Sequence, residues 1–197
     1  DLWPDSLVSV GVLKKNSFIY KIFNKIEYFL YRRANKLIVV SKSTADFLEN
    51  KGIEKKKIEI IYNGANLQKF QFHDKDKPLI QKYNLKDLFC VGYIGTIGMA
   101  HQIETVIEAA EDLEKIDKDI RFIIIGDGAR KNFISNLIEE KNLNNIILLN
   151  SIPNDDIYRY WSILDCSLTH LKKDKLFKTV IQSKIFESMA MGVPILH

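Results

Sequence analysis

The second half of the chain alternates strand-like apolar runs with amphipathic stretches, and this regularity constrains its fold more than any other feature. Runs at 88–93, 121–125, 146–149 and 165–169 have strand length and are rich in Ile, Val, Leu and Phe. Between them, apolar spacings of three and four residues predict helices over 103–115, 130–141 and 155–162, with a last short helix opening at Ser183. Strands that are apolar on both sides and separated by helices of this length predict a parallel sheet with helices on both faces, a Rossmann-like α/β pattern. Ligands of such sheets gather at the carboxyl ends of the strands, so the strand-to-helix loops become candidates.

Upstream, 37–41 and 57–62 read as short strands, and a helix beginning at Ser43 or Thr44 runs through Ala45, Phe47 and Leu48 to Gly52. Asn63-Gly64 is a turn signal. Periodicity is lost over 66–86, where His73-Asp74-Lys75-Asp76-Lys77-Pro78 falls, apart from a short helix ending near 82–84. The boundary is placed here: residues 1–72 form one lobe, 73–86 a linker and entry, and 87–197 a second lobe.

With 197 residues, 46% of them hydrophobic and 27% charged, the chain can bury one large core or two smaller ones. It has no apolar run of about 18 residues, and its opening Asp1-Leu2-Trp3-Pro4 does not resemble a secretory signal, so a soluble or peripheral protein is expected. Cys90 and Cys166 lie in apolar strand-like runs and are expected to be buried free thiols, which suits a cytoplasmic location. The first residue is not Met and both ends read as cut from something longer, so the inventory of site groups is expected to be incomplete; His197 is native or a tag remnant.

The net charge of +4 is too small to argue for nucleic acid, and no nucleic-acid partner is expected. Its distribution is uneven. Between Gly11 and Lys36 lie Lys14, Lys15, Lys21, Lys25, Arg32, Arg33 and Lys36 against the single acid Glu27, interleaved with Phe18, Ile19, Ile22, Phe23, Ile26, Phe29 and Leu30. The spacing predicts an amphipathic helix within 14–36. Two readings are open: a core helix with a basic outer face, or a helix resting on an anionic membrane surface. Core packing is favoured, with membrane contact as a second role.

Three segments carry candidate chemistry. In 183–194, Ser183 is expected to cap a short helix anchored by Ile185, Met189 and Ala190 and ended by Gly192 before Pro194. Lys184 then meets the positive end of the helix dipole, an unfavourable place for a cation unless an anion shares the site. Glu187 lies near the same face, so the pair is either a ligand site or an ordinary surface ion pair. The second segment is Gly92-Tyr93-Ile94-Gly95-Thr96-Ile97-Gly98, whose glycines permit close approach of a bulky anion. The third is Gly126-Asp127-Gly128, followed by Arg130 and Lys131. Neither loop has the Gly-Lys-Ser or Gly-Lys-Thr of a Walker loop, and each alone is equally a tight turn; with Lys184 and Glu187 they converge on one sheet edge. Asp74-Lys75-Asp76 and Asp117-Lys118-Asp119 match a metal-binding Asp-x-Asp, but one lies in the linker and the other just before a strand, so no metal is expected.

This combination resembles the family 4 glycosyltransferases of the two-lobed GT-B fold. The resemblance rests on 58–66 with Phe70, on 95–101, on 126–129 and most strongly on Phe186-Glu187-Ser188-Met189-Ala190-Met191-Gly192-Val193-Pro194. Segments 171–173, 176–179 and 183–187 are similar to bacterial surface-polysaccharide enzymes of the colanic acid, O-antigen or capsule type. It implies that residues 1–72 are the closing part of an acceptor lobe and 87–197 a truncated nucleotide-sugar lobe. It further implies transfer from a UDP-sugar or GDP-sugar donor to a lipid-linked or growing polysaccharide acceptor, with retention of configuration, at the cytoplasmic face of the inner membrane. The fragment alone is expected to be inactive.

Residue by residue, the resemblance puts Glu187 on the donor ribose, Gly95, Thr96 and Gly98 near the diphosphate, and the base near Ser151 and Ile152. Gly126, Asp127, Gly128, His101 and Ser183 complete the expected binding set, with Lys184 and Lys178 stabilising the leaving group. His101 is equally placed to cap its helix. Two departures stand out. The first acid of the family's paired-glutamate motif is replaced by Thr179, with Lys178 and Gln182 as the nearest substitutes, and His101-Gln102 stands where Lys-Gly is common. Two other functional classes are compatible with the pattern: a nucleotide-sugar epimerase of the same architecture and a non-catalytic Rossmann-like module.

Overall fold

The computed structural model describes residues 2–197. It divides into two compact units, the first formed by residues up to Asn63 together with Lys172–Ile181, the second by Gly64–Leu171 and Gln182–His197.

The first unit contains α1 (Asp5–Ser9), α2 (Phe18–Arg33), β1 (Leu37–Val39), α3 (Lys42–Asn50), a 3-10 turn at Lys55–Lys57 and β2 (Ile58–Ile60). β1 and β2 pair in parallel, Leu37 against Ile58 and Val39 against Ile60. The helix starts are set by hydroxyls: Ser17 Oγ accepts from Tyr20 N and Ser41 Oγ from Thr44 N, both at 3.1 Å. Ser41, not Ser43 or Thr44, therefore opens α3. Leu2, Val39, Ala45, Leu48, Ile53 and Leu176 form this unit's core. Ser41, Ser43 and Thr44 also donate to the Thr179 carbonyl, at 2.9, 3.3 and 3.4 Å, which ties 172–181 into the unit.

The favoured core-packing reading of α2 is overturned. Most of its apolar residues face outward, Phe18 being 77% exposed, with Ile19, Phe29 and Leu30 each more than half exposed, while Phe23 stacks on Trp3 and Tyr31 packs against the unit's core. The single buried residue of α2 is Glu27. Amphipathic spacing announces that a helix has an apolar face; it does not say what covers that face.

The second unit begins with α4 (Lys77–Lys82) and continues β3 (Phe89–Ile94), α5 (Glu104–Ile116), β4 (Ile120–Ile125), α6 (Lys131–Glu140), β5 (Ile146–Leu149), α7 (Ile157–Ser162), β6 (Cys166–Leu168), α8 (Lys184–Ala190) and β7 (Ile195–Leu196). The five strands are parallel in the order β5-β4-β3-β6-β7. Side chains of a strand alternate between faces, so Ile123 and Ile125 enter one core with Trp161 and Ile163, while Phe122 and Ile124 enter another with Ile103, Ile107 and Ile134. Both faces are covered, as the uninterrupted apolar runs required. Cys90 and Cys166 are buried free thiols.

The division falls earlier than the sequence boundary. Phe70, Leu79 and Leu85 are buried in the second unit's core, Arg159 pairs with Asp76 at 2.7 Å and Lys75 with Asp165 at 2.6 Å, so residues 64–86 pack as part of that unit rather than as a linker.

Candidate functional site: a cleft at the strand ends

β3 is the strand at which the order reverses, with β4 and β5 on one side and β6 and β7 on the other, and crevices form at the carboxyl end of such a switch. There a cleft of about 320 Å³ is lined by Gly95, Thr96, Gly126, Asp127, Ser151, Ile152 and Glu187. Ile94, Ile125, Asn154 and Ile157 complete it; they were not among the expected site residues. The isoleucines are the ends of buried strands or the start of α7, so their sequence signal reads only as core.

The two glycine loops are locked to each other. Gly95 N donates to Ile125 O at 2.9 Å, Ile97 N to Asp127 O at 2.8 Å and Arg130 N to Ile97 O at 3.0 Å. A Cβ on Gly126 would lie 1.8 Å from Gly95 O, and one on Gly128 2.5 Å from Ile97 O. Glycine is required at 126 and 128 because backbone meets backbone, and Gly128 lies outside the cleft lining. Gly92 is likewise a packing glycine inside β3, since a Cβ there would sit 2.2 Å from Leu164 Cδ1. Among the described residues, the amides of Thr96 and Gly98 make no backbone hydrogen bond, which leaves them as donors for an anion. Gly98 itself does not line the cleft. Lys131, which the sequence places at the start of the helix after the second loop, draws the strand-end carbonyls of Gly126 (3.0 Å) and Leu149 (3.4 Å) and the Asn150 side chain onto its ammonium.

The 183–194 segment forms the expected helix with a different face inward. Ser183 has helical torsions and caps nothing with its side chain. Ile185 N and Phe186 N already donate to Gln182 O and Ser183 O, so this helix start presents fewer free amides than a capped one. Met189, expected as an anchor, is 65% exposed, whereas Lys184, Ser188 and Met191 are buried. Ser188 Oγ explains this rotation: it meets Ser167 Oγ at 2.7 Å and donates to Val193 O at 2.8 Å. Gly192 ends the helix at φ +70°, with Gly192 N bonded to Met189 O and Val193 N to Ser188 O, both bonds of a Schellman motif.

The surface-pair reading of Lys184 does not hold. The residue is 8% exposed, and its Nζ has no hydrogen-bond partner, lying 3.7 Å from the centroid of the Tyr93 ring. A Cβ on Gly95 would come within 2.6 Å of that Nζ, so the ammonium is tucked against the Gly95 turn. Burial pulls Lys184 down to about 7, with the Glu187 carboxylate pulling weakly the other way. Glu187 is half-buried; burial raises its pKa, opposed by Trp161, Lys184 and Lys69. The Trp161 indole nitrogen approaches that carboxylate without completing a hydrogen bond.

His101 does not cap α5, whose N-cap is Ile103. Its ring stands edge-on to Tyr93, centroids 6.2 Å apart, with Nδ1 buried and unpartnered. Burial first, then the Lys184 charge and His170, push it down to about 4, so it is neutral near physiological pH. Gln182 is buried with both amide atoms unpartnered. Lys178 lies exposed on a 3-10 turn (Phe177–Thr179) of the first unit, and neither it nor Ser183 lines the cleft.

This strand order with its strand-end cleft defines a Rossmann-like α/β protein of the GT-B class. The crystal structure of Anabaena HepE in complex with UDP-glucose superposes with a TM-score of 0.75 at 19% identity, over 89% of this chain and 48% of that one. The chain belongs to the family described as glycosyl transferases group 1, which matches residues 74–197, more than half of its length. Residues 3–69 match the family described as Glycosyltransferase Family 4. The chain is 27% identical over its whole length to 48% of the probable glycosyltransferase WbjE of Pseudomonas aeruginosa. It is also 27% identical, over 74% of its length and 38% of the relative's, to the N-acetylgalactosamine-N,N'-diacetylbacillosaminyl-diphospho-undecaprenol 4-alpha-N-acetylgalactosaminyltransferase of Campylobacter jejuni. The chain thus spans half or less of the curated relatives it matches.

Proposed function

We propose that the cleft binds the nucleoside diphosphate of a sugar donor, and that the chain belongs to a family 4 glycosyltransferase that passes the sugar, with retention, to a lipid-linked or growing polysaccharide acceptor. The observation that carries this reading is that Glu187 and Thr96, whose amide is free, line one strand-end cleft, with the unpartnered Lys184 against the Gly95 turn. Glu187 accepts the ribose hydroxyls, the Thr96 amide and Lys184 take the diphosphate, and Ser151, Ile152 and Asn154 receive the base. Charge developing on the departing diphosphate is met by groups held in place before reaction, and the donor phosphate receives the acceptor proton, so no covalent enzyme nucleophile is required.

A UDP-sugar is the preferred donor, a choice supported by HepE, whose crystal structure is a complex with UDP-glucose. The Campylobacter relative's diphospho-undecaprenol acceptor supports a lipid-linked acceptor. Exposed apolar residues on α2, interleaved with Lys21, Lys25, Arg32 and Arg33, support contact with the anionic cytoplasmic face of a membrane. Among the described residues no helix is long and apolar enough to cross one.

A thermal-shift panel of UDP, GDP and their sugars tests the donor assignment. UDP and UDP-sugars are expected to stabilise the chain and to lose that effect with Glu187→Ala. Equal stabilisation of both proteins would reject the ribose role.

A further inference from the structure

Lys184 is a cation site without a counter-ion. An ammonium stripped of water needs acceptors for its protons, and an aromatic face supplies attraction but no lone pair. The groups facing it are Tyr93 from β3, His101 from the loop behind that ring, and Glu187 from its own helix. His170 in turn faces His101, and Lys69 faces Glu187. Tyr93 cannot relieve Lys184: its hydroxyl already donates to Thr96 O at 2.7 Å, and burial holds that proton more firmly than usual. His101 carries no acceptor toward Lys184 in any hydrogen bond, and Glu187 makes none with it. The Gly95 turn is the wall common to the Lys184 slot and the cleft.

We infer that Lys184 is stored as a neutral amine against the Gly95 turn and is protonated as a diphosphate enters the cleft, so that the chain takes up a proton with each nucleoside diphosphate sugar it binds. This rests on the nucleotide reading of the cleft. The buffer acid's bond to hydrogen breaks and its electron pair stays on the conjugate base, while the Nζ lone pair forms the new N–H bond. Two phosphate charges favour the ammonium that the empty site disfavours. Uptake has a required sign: affinity must fall as pH rises above about 7, where the empty site loses its proton. His101, pushed down to about 4, is neutral on both sides of that change, and Glu187, gaining ribose partners as a carboxylate, would release a proton rather than take one up.

Calorimetric titration of the whole chain with UDP-glucose and with GDP-mannose, in buffers of different ionisation enthalpy, counts the protons directly. Neither ligand has a phosphate that titrates near neutral pH. About one proton is expected to be taken up at about pH 8, falling towards zero at about pH 6, with affinity weakening about tenfold per pH unit between about 7.5 and 8.5. His101→Gln is expected to keep the uptake and Lys184→Met to bind more weakly without it. Binding by the unmodified chain with no uptake overturns the inference alone, whatever the variants do. Uptake that persists in Lys184→Met or vanishes in His101→Gln overturns it too. If neither nucleotide sugar binds, the nucleotide reading falls and this inference with it.

Discussion

Lys51 in the first unit and Lys184 in the second each rest against an aromatic ring, and their surroundings are opposite. Lys51 Nζ lies 4.9 Å from the Phe47 centroid and 2.8 Å from both Asp5 Oδ2 and Glu27 Oε2. Lys184 Nζ lies 3.7 Å from the Tyr93 centroid and has no hydrogen-bond partner. Burial pulls both ammonium groups down. For Lys51 the hydrogen bonds and charges of Asp5 and Glu27 more than offset it and the pKa rises; for Lys184 the Glu187 charge does not, and it falls to about 7. A cation whose partners the fold supplies belongs to the fold. One whose partner is missing is a cost to the fold.

The contrast breaks most visibly if Lys51 is removed. Lys51→Met leaves buried Glu27 without its counter-charge and is expected to lower stability by about 3 kcal/mol in urea unfolding; a loss below about 1 kcal/mol would show that the pair is not structural. Lys184→Met should move the other way, stabilising the ligand-free chain by about 2 kcal/mol at pH 7. Its pH dependence follows from the sign of the shift. The native pKa of about 7 lies below the ordinary 10.5, so the unfolded chain binds the extra proton between those values, and native stability rises with pH across that window. The gain from Lys184→Met should therefore shrink as pH rises from about 7 and be lost only above 10.5, and a gain independent of pH would mean better packing alone.

Glu187→Gln keeps the shape of the cleft and tests the proposed ribose contact, with an expected loss of about tenfold in UDP affinity by calorimetry. An unchanged affinity would place the ribose elsewhere. The smallest effect is at His101. Its native pKa of about 4 lies below the ordinary 6.5, so native stability falls as pH drops through that interval. His101→Gln should flatten this acid limb by about 1 kcal/mol at pH 5, read by unfolding at several pH values.

Much of the second unit was legible. The runs before Tyr93, Ile125 and Leu149 became β3, β4 and β5 because a strand buried on both faces must be apolar at every position. Gly95, Gly126 and Glu187 were legible as cleft residues because they follow those strands or open the last helix. The inward face of α8 was not. A seven-residue helix is too short for its spacing to identify a face, and hydrogen bonds from Ser188 to Ser167 and Val193 turned it. For α2 the apolar face was legible and its exposure was not. The 172–181 segment, which reads as part of the second lobe, packs with the first unit through Leu176 and the Thr179 carbonyl.

Sequence by itself determined the parallel α/β class, the strand ends at which the cleft forms and the presence there of glycines and a glutamate. These are local matters of period, length and turn chemistry. Only the tertiary structure decided that Gly126 and Gly128 serve loop-to-loop contact, that Ser183 caps nothing, and that Lys184 is buried without a partner while Lys51 has two. Burial and pairing depend on groups far apart in the chain, Gly95 and Tyr93 for Lys184, Asp5 and Glu27 for Lys51, and no spacing within either segment encodes them.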